Sequence, residues 1–589
     1  MKAGFKVLKR ALALLSEKER KKLAFLAAAV VGMSFMELFG VASILPFMSV
    51  ATNPEMIHEN EYLLWAYQTF EFSSENRFLV GLGFLALFAL VVGNFFRAFS
   101  SFLLIRFAQM QSHYLGERVL SSYLYRPYEY FLTQNSSDLT KTVLGEVGQL
   151  VNGIYIPGLR AFGRACAAAV IISMLIFINP KMALMMAFVM GAFYFFIYKG
   201  LKNTLHQLGK SRVISNQMRF RIINEASGGI KEIKLMNKED VYINDFSKPS
   251  MSFAETQAKN AVISEFPKYL LEVVTFGGML SIVIYLIATE GQAKAISLAA
   301  LYAFAGYKLM PALQEIFSAV TKIRFTMPVL GLVEESLNSA PEFASKVGKK
   351  QGVLKLKNNL CLKNISFRYF GSSFDALKNI NLVVKANTTV GIVGPTGSGK
   401  TTLVDLVLGL LRPSEGKIYI DGEELNQDNL STWQADIGYV PQSIYLSDDT
   451  IERNIAFGVP EHEIDFEQIK KVARLAQIDE FIESQLLKAY KTFVGERGVR
   501  LSGGQRQRIG VARALYHEPD LLVFDEATSA LDDETEKALI DSIERLSGQK
   551  TILMIAHRLS TLERADQTIR IEKGMIVTKT SQNSEIQNA

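Results

Sequence analysis

Residues 394–402 read Gly-Pro-Thr-Gly-Ser-Gly-Lys-Thr-Thr and follow an apolar run, Thr389-Val390-Gly391-Ile392-Val393. Gly394, Pro395, Thr396, Gly397, Ser398, Gly399, Lys400, Thr401 and Thr402 thus form a phosphate-binding loop in its required setting: a strand, a glycine-rich turn, and a helix opening at Thr401. The glycines let backbone N–H groups converge on phosphates that a Cβ would obstruct. Lys400 has the reach for the β- and γ-phosphates, and the Thr401 hydroxyl suits Mg²⁺. The chemistry implied is nucleoside-triphosphate binding.

Further along, Leu521-Leu522-Val523-Phe524-Asp525-Glu526 is a buried-strand pattern ending in two carboxylates. Asp525 suits the outer shell of Mg²⁺, and Glu526 suits polarising an attacking water. Between loop and strand lies Leu501-Ser502-Gly503-Gly504-Gln505, which opens a helical stretch through Leu515. Glycines and a hydroxyl at a helix start describe a second anion site. Gln442 follows Tyr439-Val440-Pro441, and His557 follows the apolar strand Ile552 to Ala556. Either residue alone reads as structural; in this order with the other motifs they read as parts of one site.

The elements that must carry this site occupy less than half of the chain. At 589 residues, 49% of them hydrophobic, the chain exceeds a single core and is unusually apolar for a soluble protein. The apolar material lies in the first 330 residues, with candidate membrane spans at about 23–50, 78–105, 151–178, 181–200, 264–289 and 295–320. Lys2, Lys6, Lys9, Arg10, Lys18, Arg20, Lys21 and Lys22 precede the first span, so the positive-inside rule puts the N-terminus in the cytosol. Six spans then return the nucleotide site to the cytosol. The net charge of +6 does not argue for nucleic acid. Cys166 and Cys361 fall in different regions, which excludes a disulfide framework. Residues 1–22 alternate apolar and basic positions at helical spacing, as an interfacial helix does.

The C-terminal motifs together resemble the nucleotide-binding domain of ATP-binding cassette (ABC) transporters over roughly residues 352–580. The resemblance implies ATP and Mg²⁺ as cofactors and assigns roles residue by residue. Tyr369 would stack on adenine, and Gln442 would sense Mg²⁺ and the transport domain. Leu501, Ser502, Gly503, Gly504 and Gln505 would form the signature, Ser529-Ala530-Leu531-Asp532 the D-loop, and His557 the switch histidine on the γ-phosphate. Glu526, His557 and Gln442 become the implied catalytic set, and Thr401, Gln442 and Asp525 the implied metal contacts. Val494 to Gly498 resembles a loop that marks export over import. The fold class expected is an α-helical membrane domain of six transmembrane helices with long cytosolic extensions, followed by an α/β P-loop nucleotide-binding domain. Its parts would be an elbow helix (1–22), a transmembrane domain (23–340), a linker (341–351) and the cassette (352–589). Tyr128 to Asp138 and Gly229 to Lys238 would be coupling helices. One cassette per chain implies a dimer: a homodimer with two competent sites, or alternatively a heterodimer.

In the membrane half, Met36 to Phe47 is similar to the first span of bacterial flippases for lipid-linked oligosaccharides, which serve protein N-glycosylation and O-antigen export. Asn94-Phe95-Phe96-Arg97-Ala98, Tyr307 to Pro311 and an external segment, Tyr62 to Phe70, fit the same group. The cargo implied is a polyprenyl-diphosphate oligosaccharide, moved across a bacterial inner membrane by a multi-pass protein with both termini cytosolic. A lipid or multidrug exporter of the same fold is the alternative. Arg97, Lys268 and Lys308 lie in apolar helices, where a charge is costly and marks function. Internal pairing, of Arg97 with Glu37 or Lys268 with Glu272, is the competing explanation.

Overall fold

The computed structural model describes residues 2–43, 46–47, 50–51, 54–134, 136–178, 180–290, 292–338, 353–526, 546–555 and 565–581. The chain divides into two compact units. One comprises Met1–Arg126 with Gln134–Ala344, and the other Pro127–Thr133 with Ser345–Ala589. The linker 341–351, the D-loop residues Ser529 to Asp532, His557 and the side chain of Lys308 lie outside the described residues.

The first unit is built from long helices: α1 (Lys2–Ala13), α2 (Glu17–Ala42), α3 (Glu61–Thr69) and α4 (Glu75–Leu124). A run from Ser136 turns π-helical at Lys141–Glu146 and Val151–Tyr155 before it becomes α6 (Ile156–Ile178). The helix labelled α5, Tyr128–Thr133, belongs to the second unit. Then come α7 (Pro180–Gly228), α8 (Ile230–Met236), α9 (Glu239–Glu290) and α10 (Gln292–Asn338). The apolar segments read from the sequence fall in α2, α4, α6, α7, α9 and α10. Three helical stretches among the described residues, Glu75–Leu124, Ser137–Ser173 and Leu309–Asn338, are long and apolar enough to cross a membrane. On α4, Phe84, Phe88, Val91 and Phe95 are exposed, a face that suits hydrocarbon rather than water.

Local signals set the helix ends. The Asn60 side chain accepts from Tyr62 and Leu63 N–H to start α3, and Ser74 accepts from Arg77 N–H to start α4. Asn237, at φ 50°, stops α8 by turning its N–H back onto Ile233 and Lys234 carbonyls. The segment expected as one coupling helix over Tyr128 to Asp138 is two, because α5 ends at Thr133 and a new helix, Ser136–Thr140, follows.

The polar end of the helical unit has its own core. Val7 and Ala11 of α1, with Leu14 and Leu15 just beyond it, pack with Leu115, Leu150, Ile154, Leu330 and Val333, each buried Val, Leu or Ile side chain being worth about 1.5–3 kcal/mol. The buried stripe of α1 therefore meets protein, while Leu8 is exposed. Arg10 pairs with Glu334, and the Tyr155 hydroxyl donates to the Ala11 carbonyl at 2.7 Å. A Cβ on Gly153 would lie 2.1 Å from Thr326 Oγ1, so glycine there permits the close crossing with α10. Glu146, fully buried, accepts from Arg212 Nη1 (2.5 Å) and Asn216 Nδ2 (2.9 Å).

The second unit is an α/β domain with two sheets. Strands β1 (Asn359–Phe367), β2 (Leu377–Lys385), β4 (Glu415–Ile420) and β5 (Glu423–Glu424) form an antiparallel sheet in the order β2-β1-β4-β5. The other sheet runs β10-β9-β3-β8-β7-β6, from β3 (Thr389–Val393), β6 (Ile437–Val440), β7 (Leu521–Asp525), β8 (Thr551–Ile555), β9 (Gln567–Glu572) and β10 (Met575–Ser581). All its pairings are parallel except β10 with β9. Continuous burial along β7 and β8 explains their unbroken apolar sequences, as expected of parallel strands covered on both faces. Helices α11 (Lys400–Val407), α12 (Ile451–Ile455) and α13 (Gly503–Leu515) carry or brace the site.

Candidate nucleotide site

The phosphate loop leaves the end of β3 and enters α11 one residue earlier than the sequence suggests, with Gly399 as N-cap at φ 108°. A Cβ on Gly394 would lie 2.2 Å from the Ile571 carbonyl oxygen, so only glycine lets the loop pass β9. Lys400 folds over its own loop and donates to the Gly394 (2.8 Å) and Pro395 (3.1 Å) carbonyls. Ser398 Oγ is buried with no hydrogen-bond partner among the described residues. A cradle that excludes side chains, a cation curled into it and an unsatisfied hydroxyl fit a triphosphate.

Strand register assembles the rest. Val440 on β6 pairs with Phe524 on β7, so the residues two places on, Gln442 and Glu526, leave the sheet side by side. Gln442 Nε2 donates to Glu526 Oε2 at 2.5 Å. Glu526 sits at φ 50°, a left-handed conformation that costs a non-glycine residue about 1–3 kcal/mol and marks functional positions. Burial, and next the Glu526 charge, push the Asp525 carboxyl above its ordinary value, with Lys400 opposing. Divalent Mg²⁺ would favour the ionised form of this pair. Tyr369 leaves β1 just beyond Phe367, packs edge-on against that ring, and its hydroxyl lies 3.0 Å from Thr402 Oγ1. The Tyr369 ring is thus tied to the phosphate-loop helix.

Ser502 caps α13: its hydroxyl accepts from Gln505 N–H, and Gln505 Oε1 accepts from Ser502 N–H, a reciprocal capping box. The signature therefore opens a helix, as its glycines and serine suggest. Asp405, which the motif reading missed, is buried one turn beyond Thr401 on α11. Burial, then the Asp525 charge, push its carboxyl up to about 6. The i,i+4 spacing from Thr401 was the available signal.

In the helical unit, Arg97 lines a cavity of about 220 Å³ together with Ser100, Ser101, Arg160, Arg164 and Glu315. Arg164 Nε donates to Glu315 Oε2 at 2.5 Å. Lys268 is exposed on α9 and does not line this cavity. Arg160 and Arg164, one helical turn apart on α6, went unnoticed in the sequence because nothing local relates them to Arg97.

Comparison with known proteins agrees with both halves. A family model described as the ABC transporter transmembrane region matches residues 16–311, half of the chain, and one described as ABC transporter matches residues 377–529. A protein of Ralstonia nicotianae named ATP-dependent lipid A-core flippase is 28% identical over 479 residues, covering 79% of this chain and 78% of its own. Its namesake in Escherichia coli K12 is 40% identical over 234 residues, 40% of each chain. The solved structure of a bacterial Atm1-family ABC exporter with ATP bound superimposes with a TM-score of 0.79 over 96% of each chain at 22% identity, which speaks to the fold. With a helical region and an ATPase cassette that each match the same family in one polypeptide, this chain belongs to the ABC transporters: a membrane exporter that binds ATP with Mg²⁺ and hydrolyses it to drive transport.

Proposed function

We propose that this exporter flips a lipid-linked oligosaccharide of the polyprenyl-diphosphate type across a bacterial inner membrane, as a homodimer with both termini cytosolic. The observation that carries the reading is the cavity around Arg97, whose described lining holds three guanidinium groups and one carboxylate. Guanidinium forks match phosphate oxygens in pairs, so a cavity lined by three of them suits an anionic head group. An uncharged hydrophobic drug would need none of them. Lys268 and Lys308 would add positive charge elsewhere along the cargo path. The elbow helix 1–22, transmembrane domain 23–340, linker 341–351 and cassette 352–589 serve as the working division.

In the cassette, Lys400, Ser398 and the backbone N–H groups of residues 394–402 hold the phosphates, and Tyr369 orients the base. Thr401, Asp525 and Gln442 would hold Mg²⁺, which when bound neutralises phosphate charge. Glu526 takes the proton of the attacking water at its carboxylate, with Gln442 fixing the carboxylate's orientation. Ser502 to Gln505 contact the nucleotide of the second copy, and His557 the γ-phosphate. Tying the signature of one copy to the phosphate loop of the other is what makes a dimer necessary.

The names of the relatives favour a second reading, in which the cargo is a lipid A-core type of glycolipid, also anionic. Reconstitution into proteoliposomes with each lipid separates the two. ATP-dependent translocation of polyprenyl-diphosphate oligosaccharide is expected; translocation of lipid A-core alone would overturn the first reading.

A further inference from the structure

Gln442 can act only if the chain that follows it is held still, and the hold comes from a residue no nucleotide motif contains. We propose that Arg513 is a positioning residue for ATP hydrolysis: from the last turn of α13 it clamps the segment after Gln442 and so fixes Gln442 against Glu526. The proposal rests on the hydrolytic roles given above to Gln442 and Glu526.

Three hydrogen bonds leave the Arg513 guanidinium, and all end on that segment. Nη1 donates to the Tyr445 carbonyl (2.7 Å), Nε to the Asn454 carbonyl (2.8 Å) and Nη2 to Asn454 Oδ1 (3.1 Å). Its Cζ lies over the Phe457 ring, 4.7 Å from the centroid. Every acceptor is a carbonyl oxygen and none a carboxylate. A largely buried cation held by neutral dipoles is a poor way to gain stability, since desolvation is offset only in part. What the arrangement supplies is direction, because a planar fork fixes two backbone carbonyls and a side chain at once.

Asn454 extends the clamp. Fully buried, it accepts from Ser447 N–H (3.0 Å) and Ser447 Oγ (3.2 Å), and its amide donates to the Ser447 (3.0 Å) and Thr450 (3.1 Å) carbonyls. Both ends of α12 and the loop before it are thereby locked to Arg513. One turn earlier on α13, Gly510 admits Ile444, whose Cδ1 would lie 2.5 Å from a Cβ at that position. Ile444 and Tyr445, two and three residues beyond Gln442, are thus gripped by one face of α13, by close packing at Gly510 and by the fork at Arg513. The same helix begins at Ser502, so the signature and the Gln442 segment move as one body.

The test uses full-length protein in lipid nanodiscs. Arg513→Met keeps the stem and removes the fork. Its kcat for ATP should fall about 10- to 100-fold, the order that a misplaced catalytic group costs. Binding of a fluorescent ATP analogue at saturating Mg²⁺ should stay within about twofold, while the Mg²⁺ concentration giving half-maximal analogue binding rises because Gln442 is no longer held. Arg513→Lys should recover part of the rate. Unchanged kcat in folded Arg513→Met overturns the proposal. So does a parallel loss of kcat, analogue affinity and melting temperature that lysine does not relieve, which would make the role structural. Should Arg513→Met fail to accumulate, Gly510→Ala carries the test: its methyl presses on Ile444, kcat should drop, and Ile444→Val, which lacks the Cδ1 atom, should restore it. Normal turnover in Gly510→Ala, or no restoration, sinks the idea. Glu526→Gln separates the two levels. Turnover surviving that change overturns the assignment of Glu526, whereas lost turnover there beside normal Arg513→Met overturns only the clamp.

Discussion

The cassette and the helical unit solve opposite problems with charge. In the cassette, ionisable groups gather at strand ends and a helix start: Lys400 donates to carbonyls of its own loop, and Asp525 and Glu526 are neighbours at the end of β7. In the helical unit, charges pair between elements far apart in the chain, Glu146 with Arg212 and Arg164 with Glu315. Cassette chemistry is therefore written in contiguous motifs, and helical-unit chemistry in pairs far apart in the chain.

Substitutions can break that contrast from either side. Glu526→Gln should show the largest effect, a loss of ATP turnover of about 10²–10⁴-fold with nucleotide binding kept, measured on purified protein. Near-normal turnover would remove Glu526 from the chemistry. Glu146→Ala should leave Arg212 buried without its carboxylate and destabilise the helical unit by about 3–5 kcal/mol, read as an early melting transition. If melting is unchanged, that pair is incidental. Arg97→Ala should lower lipid translocation in proteoliposomes at least about tenfold, the loss of one charge-assisted contact, with basal ATPase retained. Glu526→Gln should stop turnover and translocation together, whereas Arg97→Ala should lower translocation alone.

The smallest effect concerns pH. With the Asp405 carboxyl at about 6 in the fold against an ordinary aspartate value of 3.8, the folded cassette keeps a proton that the unfolded chain releases between those values. Stability falls as pH rises through that window, and the full penalty applies above about pH 6. Asp405→Asn should accordingly raise the nucleotide-free melting temperature at pH 7 to 8, by roughly 1–3 kcal/mol of stability, and change little below pH 4. An equal shift at every pH would place the effect elsewhere.

Most of the nucleotide site was legible because phosphate binding uses backbone geometry, and backbone geometry over nine consecutive residues is a local property of glycine placement. Capping at Ser502 and the unbroken burial of β7 were legible for the same reason. The proximity of Gln442 to Glu526 was not, since it depends on the register of β6 against β7. Nor was the clamp at Arg513, whose acceptors are backbone carbonyls with no residue signature.

In the helical unit, composition alone determined where the apolar segments lie, because removing backbone polar groups from water demands long helices of apolar residues. Which faces of those helices meet is another matter. Arg97, Arg160, Arg164 and Glu315 come from three helices separated by tens to hundreds of residues, and they line one cavity only through helix crossing. The seating of α1 on protein through Val7 and Ala11 was decided in the same way, by which neighbouring surface covers an amphipathic stripe. Periodicity announces that a stripe exists, but its partner is chosen by packing among segments distant in sequence, and that information resides in the tertiary structure.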